Sequence, residues 1–253
     1  MAHSRAFGWP LSGSCVAILG VEVVMIRFLE RFPLLLMIYF DFHTHRIPPS
    51  SEVISVYNRI VYPDPAQEDS IEPGALCSCG IHPWYVLSDG VAQMERLSLL
   101  AQEPGVVAIG EAGLDRLAAT PWTVQEWLFE EQARLADELD KPLVIHCVKA
   151  WDCLLLFKKR LSPHVPWVIH GFRGGMALAG QLAAAGFYFS LGLFHQEAVS
   201  RGLPIERLFL ETDDRSADIR ELYVRVAAGR LMPLPELSDR IRKNINSLFS
   251  LNY

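Results

Sequence analysis

The chain has 253 residues, of which 51% are hydrophobic and 21% charged, with a net charge of −6 and a pI near 5.8. This composition excludes general disorder and supplies enough apolar side chains for one sizeable core. The acidic balance argues against a large basic surface that coats nucleic acid. It does not exclude a small site that binds phosphates through metal ions.

The first 36 residues differ from the rest of the chain. The stretch "CVAILGVEVVMIRFLERFPLLLM" is hydrophobic, yet charged residues interrupt it, and no uninterrupted apolar run reaches the length of a membrane span. The segment before it has one arginine and no clear cleavage site, so it is a poor signal peptide. We therefore expect residues 1–36 to be an N-terminal extension outside the catalytic fold. Met37 is a candidate start of the working protein, and Met25 is a second candidate.

The five cysteines are odd in number and lack the spacing of a disulfide framework or a zinc knuckle. We interpret them as ordinary buried thiols in a reducing compartment, which predicts a cytoplasmic location. The sequence indicates no membrane association and no obligate protein partner.

From Met37 onward, short apolar strands alternate with amphipathic helices. The predicted strands begin near Ile38, Ile54, Ala75, Val106, Leu143, Trp167, Phe187 and Leu208. The spacing is expected to leave room for a helical crossover each time, and continuously apolar strands such as "PLVIHC" are typical of parallel strands buried on both faces. Eight strand–helix units predict an α/β fold, a single-domain (β/α)8 TIM-type barrel over residues 37–253. An open doubly wound sheet is the alternative, although no G-x-G-x-x-G follows the first strand.

Two helices are legible in detail. Thr123, with Glu126 three residues later, has the pattern of a capping box, and Pro142 stops the helix that follows. A second amphipathic helix near the C terminus carries one apolar stripe: Leu237, Ile241, Ile245 and Leu248.

Ionisable residues recur at the carboxyl ends of the predicted strands. They are His43 and His45 after strand one, His82 after strand three, Glu111 and Asp115 after strand four, His146 after strand five, His170 after strand six, and Glu211 and Asp213 after strand eight. Active sites of such barrels form at this end of the strands. Because residues i and i+2 of a strand face the same way, His43 and His45 point together and can ligate one metal.

Each of these residues also has a structural interpretation when it is taken alone. His146 and His170 could be buried, hydrogen-bonded histidines. Glu111 could accept from a backbone amide, and Asp213 could cap the next helix. Together, however, so many desolvated ionisable groups at one end of one barrel would be a costly coincidence. The set therefore predicts a site with ligands enough for two divalent ions.

The motifs "FDFHTH", "GIHPW", "GEAGLD", "PLVIHC", "HGFRGG" and "LFLETDD" resemble, in order and spacing, those of the TatD family of metal-dependent hydrolases. This family belongs to the wider amidohydrolase-like superfamily, and the resemblance covers residues 37 to about 250. It implies a deoxyribonuclease that depends on two divalent ions, Mg2+ or Mn2+ with Zn2+ as an alternative, and that acts as an exonuclease on DNA ends.

The resemblance also implies the metal ligands: His43, His45, Glu111, His146, His170 and Asp213. His43 and His45 would hold one ion, His146 and His170 would hold the second, and Glu111 would face both. Residue types alone do not choose among the three metals.

Three residues would carry catalysis by resemblance. Asp213 would orient or deprotonate the attacking water, Glu111 would hold the ions together, and His82 would lie near the scissile phosphate. Two ions about 3.5–4 Å apart can lower the pKa of a shared water and clamp the attacking and leaving oxygens.

Departures from the family pattern cluster at the rim of the site. Lys149 stands near a missing arginine, Arg173 replaces a serine, and Asp214-Arg215 replace an alanine–proline pair. Because none is a proposed ligand, these departures concern the substrate rather than the metal chemistry. Basic residues just past the strand ends could bind phosphate oxygens or be solvated charges: Arg46, Arg116, Lys149 and Arg173. We assign substrate contacts to His82, Lys149 and Arg173.

Two rival functions stay open. An amide or lactone hydrolase of the same superfamily often bridges its metals with a modified lysine at the end of strand four, where this chain has Glu111. A non-catalytic, metal-stabilised binding module would be expected to lose ligands first. The expected partner is therefore DNA, as single strands or frayed ends, gripped by a local basic rim on an acidic protein.

Overall fold

The structure is a computed structural model that describes residues 37–46, 52–67 and 74–251. The predicted extension over residues 1–36, with the candidate start at Met25, lies outside the described residues. The strands are β1 (Tyr39–Thr44), β2 (Val53–Ile60), β3 (Leu76–Gly80), β4 (Val106–Asp115), β5 (Leu143–Val148), β6 (Trp167–Ile169), β7 (Tyr188–Leu191) and β8 (Leu208–Leu210). The helices are α1 (Val91–Leu100), α2 (Trp122–Glu138), α3 (Trp151–Leu161), α4 (Met176–Ala184), α5 (Glu197–Gly202), α6 (Ile219–Gly229) and α7 (Leu234–Phe249), with 3-10 turns at Pro65–Gln67 and Ile205–Arg207.

The eight strands form one parallel sheet in chain order, and the two ends of the sheet meet. Just beyond β8, the Asp213 N–H donates to the His43 carbonyl at 2.9 Å, and the Asp213 carbonyl accepts from the His45 N–H at 3.1 Å. These bonds extend an isolated parallel bridge between Thr44 and Asp213. The predicted TIM-type barrel is therefore confirmed, each strand begins within one residue of its expected start, and the open sheet is wrong.

The strand–helix repeat is less regular than predicted at the first two connections. Only residues 45–52 link β1 to β2, which is shorter than the dozen or so residues of a helical crossover. Between β2 and β3, the residues that are described contain a 3-10 turn and no α-helix. From β3 onward, every pair of strands is joined through a helix. The expectation of room for a helical crossover at every connection was therefore wrong for the first, because the strand starts were counted and not the gaps between strands.

Helices α6 and α7 fix the first strand from outside. The hydroxyl of Tyr223 on α6 donates to the Phe40 carbonyl at 3.1 Å and accepts from the Phe40 N–H at 3.2 Å. Ser238 on α7 donates to the Ile38 carbonyl at 3.0 Å. The Phe42 ring stacks on Phe209 of β8, with centroids 4.6 Å apart. The strand that carries His43 and leads to His45 is therefore held through both its backbone and its side chains.

The start of α2 differs from the prediction. The helix begins at Trp122, directly after Pro121, and has no side-chain cap among the described residues. Thr123 already lies in the first turn, so the predicted capping box with Glu126 is wrong. Pro121, whose ring fixes φ near −52°, leads the chain into the helix instead.

Two strands carry one extra residue close to the mouth of the barrel. Between Asp41 and Thr44, β1 has one residue more than its partner β2, and between Ile109 and Ala112, β4 has one residue more than β5. Such bulges bend a strand and re-aim a side chain next to a site. The first bulge falls at His43.

The second bulge brings Glu111 into the mouth. It depends on Gly110, whose φ of +130° is a conformation that residues with a Cβ rarely adopt. A Cβ at this position would lie 2.3 Å from the carbonyl oxygen of Val144 on the neighbouring strand. Only glycine therefore fits directly before Glu111.

The cysteine and membrane expectations have separate outcomes. Cys77 and Cys79 are buried, whereas Cys147 and Cys153 are only half-buried, and all four are free thiols. Burial raises the pKa of Cys77 to about 11 and that of Cys147 to about 12, so these thiols stay protonated. Cys15 lies outside the described residues. No described helix is both long and apolar enough to cross a membrane, and the cytoplasmic location stays a prediction.

Candidate metal centre

The mouth of the barrel gathers a group of ionisable side chains around one carboxylate. Glu111, midway along β4, is 3% exposed, and it is surrounded by histidines at or just past the ends of four other strands. These histidines are His43, His45, His82, His146 and His170. The structure therefore brings together all the residues to which the sequence assigned ligand or catalytic roles, with Asp213 at the edge of the group.

One carboxylate oxygen of Glu111 faces three histidines. Oε1 lies 2.6 Å from His170 Nε2, 2.9 Å from His146 Nδ1 and 3.2 Å from His82 Nε2. His82 is buried and belongs to this cluster. The resemblance had implied a place near the scissile phosphate, and the ring lies deeper than that.

The other oxygen of Glu111 faces the first strand. Oε2 lies 3.4 Å from His43 Nε2 and 3.8 Å from His45 Nε2. The Asp213 carboxylate approaches the same two rings, with Oδ1 3.5 Å from His45 and 3.9 Å from His43. Asn58 on β2 fixes Glu111 by donating to Oε2 at 3.0 Å and accepting from the Glu111 N–H at 3.2 Å. The two oxygens thus serve two separate sets of donors.

Charge pairing dominates the electrostatics of the cluster. Burial alone would raise the pKa of Glu111, but the surrounding histidines, His170 first, outweigh it and hold that pKa well below its usual value. Burial likewise opposes protonation of His170, but Glu111 and Glu211 outweigh it and raise the pKa of His170 well above 6.5. The pKa of His82 is lowered by burial, so this ring is neutral. A cation that binds here must therefore displace the proton of His170.

The donor set fits divalent cations. His43 is fully buried, and neither of its ring nitrogens has a hydrogen-bond partner in the described part of the chain. A buried imidazole in that state is costly unless a nitrogen binds something else. Three groups of donors have ligand atoms within 4.8 Å of one another: His43, Glu111 and His170; His43, His45 and Asp213; His82, Glu111 and His146. Imidazole and carboxylate ligands together suit Mg2+, Mn2+ and Zn2+.

Asp115 supports His146 from behind. Its Oδ2 lies 3.3 Å from His146 Nε2 and accepts from the indole N–H of Trp84 at 2.6 Å, while Oδ1 accepts from the Leu117 N–H at 2.7 Å. Burial opposes ionisation, but these hydrogen bonds outweigh it and lower the pKa of Asp115 to about 2. An ionised acceptor at Nε2 keeps a proton there and turns Nδ1 toward Glu111.

A second carboxylate fixes the backbone around Asp213. Asp41 accepts from the Thr212 N–H at 2.9 Å and from the Thr212 hydroxyl at 2.6 Å. Asp213 itself has φ of +58°, in the left-handed region that disfavours residues with a Cβ. It does not cap the next helix, because Asp218 takes that position on α6. Strain of this kind persists where neighbouring contacts over-determine the backbone, as Asp41 and Thr212 do here.

The cluster opens into a cleft of about 790 Å³. Two predicted substrate residues, Lys149 and Arg173, line it together with the buried His82. Arg46 also lines the cleft, as does Arg215. The rim predicted from the sequence is therefore present around the buried cluster.

Arg116 is the exception among the predicted rim residues. It is not part of the described cleft lining. Its guanidinium lies 4.5 Å from the centroid of Trp122 and donates to the Lys149 carbonyl at 2.9 Å. Sequence reasoning gave no role to Asn58, for which the sequence offered no signal, or to Trp84, which stood in the quoted motif "GIHPW".

A parallel eight-stranded barrel with a histidine- and carboxylate-rich cluster at its mouth defines a metal-dependent barrel hydrolase. A family profile described as TatD related DNase matches residues 66–250. The chain belongs to this family. The predicted membership is confirmed, and with it a metal-dependent hydrolase at the level of the family.

Individual relatives agree with this assignment. A protein named 3'-5' ssDNA/RNA exonuclease TatD from Klebsiella pneumoniae is 36% identical over 172 residues, which cover 63% of this chain and 65% of that protein. The uncharacterized metal-dependent hydrolase YjjV of Escherichia coli is 27% identical over 195 residues, covering 68% of this chain and 75% of that protein. The chain thus spans just under two thirds of the first relative and three quarters of the second.

A solved structure shows the same fold. The YjjV structure from Escherichia coli superposes with a TM-score of 0.70 at 22% identity, covering 86% of this chain and 100% of that chain. At this level of identity the likeness concerns the barrel alone.

Proposed function

We propose that this chain is a divalent-metal-dependent exonuclease that removes nucleotides from the ends of single-stranded or frayed DNA. Residues 37–253 are the proposed catalytic domain, with residues 1–36 outside it. The observation that carries the proposal is the division of Glu111, whose two oxygens face two separate sets of histidines. A buried carboxylate between two sets of donors suits a pair of divalent ions that share one bridging ligand.

The proposed ligands divide between the two oxygens of Glu111: His43, His45 and Asp213 on the Oε2 side, and His146 and His170 on the Oε1 side. Mg2+ and Mn2+ are the proposed ions, with Zn2+ as the alternative. When bound, such ions make water a better nucleophile and neutralise charge that develops on a phosphate.

Asp213 is the proposed general base. Its carboxylate is partly exposed to the cleft, and the backbone bonds to His43 and His45 fix its position. It would orient the attacking water and accept its proton. His82 accepts from the Trp84 N–H at its Nδ1 (3.1 Å), so the neutral ring carries its proton on Nε2, which faces Glu111 Oε1 at 3.2 Å. Near the scissile phosphate, its proposed role is to hold Glu111 in place.

The rim supports a nucleic-acid substrate over an amide or a lactone. Lys149 and Arg173 would contact phosphate oxygens of the strand, because both are exposed cations that line the cleft. The strand-four position of the modified lysine in the rival hydrolases is Glu111, and Lys149 is the one lysine lining the cleft among the described residues. Amide or lactone hydrolysis is therefore the alternative against which the test is set.

The test follows a labelled single strand over time in Mg2+ or Mn2+ and again with EDTA. We expect stepwise loss of terminal nucleotides that EDTA stops and that Asp213→Asn and Glu111→Gln abolish. Glu95→Gln is the matched control, since Glu95 is exposed on α1 and away from the cleft. Thermal unfolding of each variant separates lost chemistry from lost folding. Intact DNA beside metal-dependent hydrolysis of an amide or a lactone would contradict the proposal.

A further inference from the structure

An exposed aromatic ring stands at the edge of the cleft, between two cations. Phe194, in the connection after β7, is 57% exposed. The guanidinium carbons of Arg173 and Arg215 each lie 5.3 Å from the centroid of its ring. We call these three residues the Arg–Phe platform. The two arginines are among the rim positions at which the sequence departs from the motifs that it resembles.

The platform adjoins the proposed chemistry. Phe194, Arg173 and Arg215 line one small pocket together with Asp213. Arg173 and Arg215 also line the larger cleft that contains Glu111. A ligand on the platform would therefore lie beside the proposed general base.

The fold itself gains little from this arrangement. No carboxylate among the described residues pairs with Arg173, and Arg215 pairs with its neighbour Asp214 at 2.9 Å, where both side chains are at least half exposed. Exposed ion pairs of this kind contribute little to stability. The Phe194 ring leaves more than half of its surface in water, which an apolar side chain does at some cost. The cluster is thus better explained by something that it binds.

We propose that the Arg–Phe platform is a subsite for a nucleotide next to the scissile phosphate. Its base would stack on the Phe194 ring or on a guanidinium plane, and the arginine N–H groups would donate to backbone phosphate oxygens. The inference rests on the proposed nuclease function and adds the residues that hold the strand. It requires a single strand, because a base must leave its duplex stack to reach a side chain.

The chemistry of the platform suits this ligand. Every base has a π-face, so stacking on an aromatic or guanidinium surface holds a strand without reading its sequence. Two cations beside Asp213 and Asp214 also offset the repulsion that an acidic mouth exerts on phosphates. Trp84, whose side chain is 59% exposed, lines the same cleft and offers a second ring for stacking.

The test measures binding to a short oligothymidylate and to the same strand with abasic residues at its end. Asp213→Asn protein keeps the strand intact during the measurement. Phe194→Leu is expected to weaken binding of the base-bearing strand about 5- to 100-fold and to leave the abasic strand unchanged, whereas Phe194→Tyr retains binding. Arg173→Gln and Arg215→Gln are each expected to weaken the binding of both strands. Each should also reduce the magnitude of the slope of log K against log salt concentration by about 0.7.

Two control variants match these changes outside the cleft. Arg160→Gln removes an arginine that lies 4.7 Å from the centroid of Phe157, and Trp127→Leu removes an exposed ring on α2. If Phe194→Leu weakens the binding of both strands equally, or of neither, while wild-type protein degrades DNA, the platform is overturned and the proposed function stands. Wild-type protein that neither binds nor degrades single strands would overturn both.

Discussion

The buried cluster and the exposed rim of the same cleft are built in opposite ways. Glu111, His43 and His170 are buried, and each has at least two ionisable neighbours within 4 Å. Lys149 and Arg173 follow strands and are exposed, and neither pairs with a carboxylate in the part of the chain that the structure describes. Buried polar groups depend on one another, because each unpaired group in a low dielectric is costly. Single changes in the cluster should therefore be severe and strongly coupled, whereas changes at the rim should be mild and additive.

The largest expected effect is that of Glu111→Gln. The amide keeps the shape of the side chain but removes the charge that both sets of histidines share. We expect turnover of a labelled single strand to fall about 10³-fold or more and the number of bound Mn2+ ions to drop. Turnover and Mn2+ stoichiometry within a few-fold of wild type would contradict the bridging role and the comparison that depends on it.

The next effect is that of Asp115→Asn, one layer behind the cluster. Loss of the ionised acceptor loosens His146, so metal affinity or activity should fall about 10- to 100-fold. The folded pKa of Asp115 is depressed to about 2, so its contribution to stability is present above the unfolded pKa near 3.9 and is lost as pH falls toward 2.

Two measurements check the Asp115 prediction. Urea unfolding of wild type and Asp115→Asn at several pH values should give a difference near neutral pH that shrinks in acid. Asp152→Asn, an exposed aspartate on α3, serves as the control. An activity loss of less than about threefold would show that His146 keeps its orientation without an ionised Asp115.

Protons compete with metal in the buried cluster but not at the rim. Glu111 and Glu211 raise the pKa of His170 against the effect of burial, so the ring is protonated at neutral pH without metal. Affinity for Mn2+ should rise with pH by up to about tenfold per unit and level off above the folded pKa of His170. In the metal-free protein, protonated His170 stabilises the fold through these two carboxylates. That contribution is complete below about pH 6.5 and is lost as pH rises through the raised pKa of His170.

Calorimetric titration with Mn2+ in buffers of different ionisation enthalpy measures this proton release directly. His164→Asn is the control, because His164 is an exposed histidine far from the cleft. Binding that releases no proton between pH 6 and 8 would separate His170 from the metal, since about one proton is expected for each protonated ring displaced.

The contrast also explains how far the sequence could be interpreted. Apolar strands with ionisable residues at their carboxyl ends predict the barrel and the cluster, because strand direction places those ends at one mouth. The bulges at His43 and Glu111 could not be predicted, since they depend on how neighbouring strands pair. Phe194 gave no signal at all, because it lies in an irregular connection whose course the local pattern does not determine. The positions of residues that burial and strand geometry dictate could be predicted from the sequence. The positions of residues on loops could not.

The smallest expected effect is that of Lys149→Gln at the rim. Lys149 lines the cleft with an exposed ammonium, and a single exposed charge near a phosphate contributes modestly. We expect KM for a single strand to rise about two- to fivefold at low salt, kcat to change little, and the difference to shrink as salt is added. Lys159→Gln, on the exposed face of α3, should change neither constant. A large loss of kcat in Lys149→Gln, unaffected by salt, would instead place this lysine with the buried cluster, and the division between a coupled interior and an additive rim would fail at that residue.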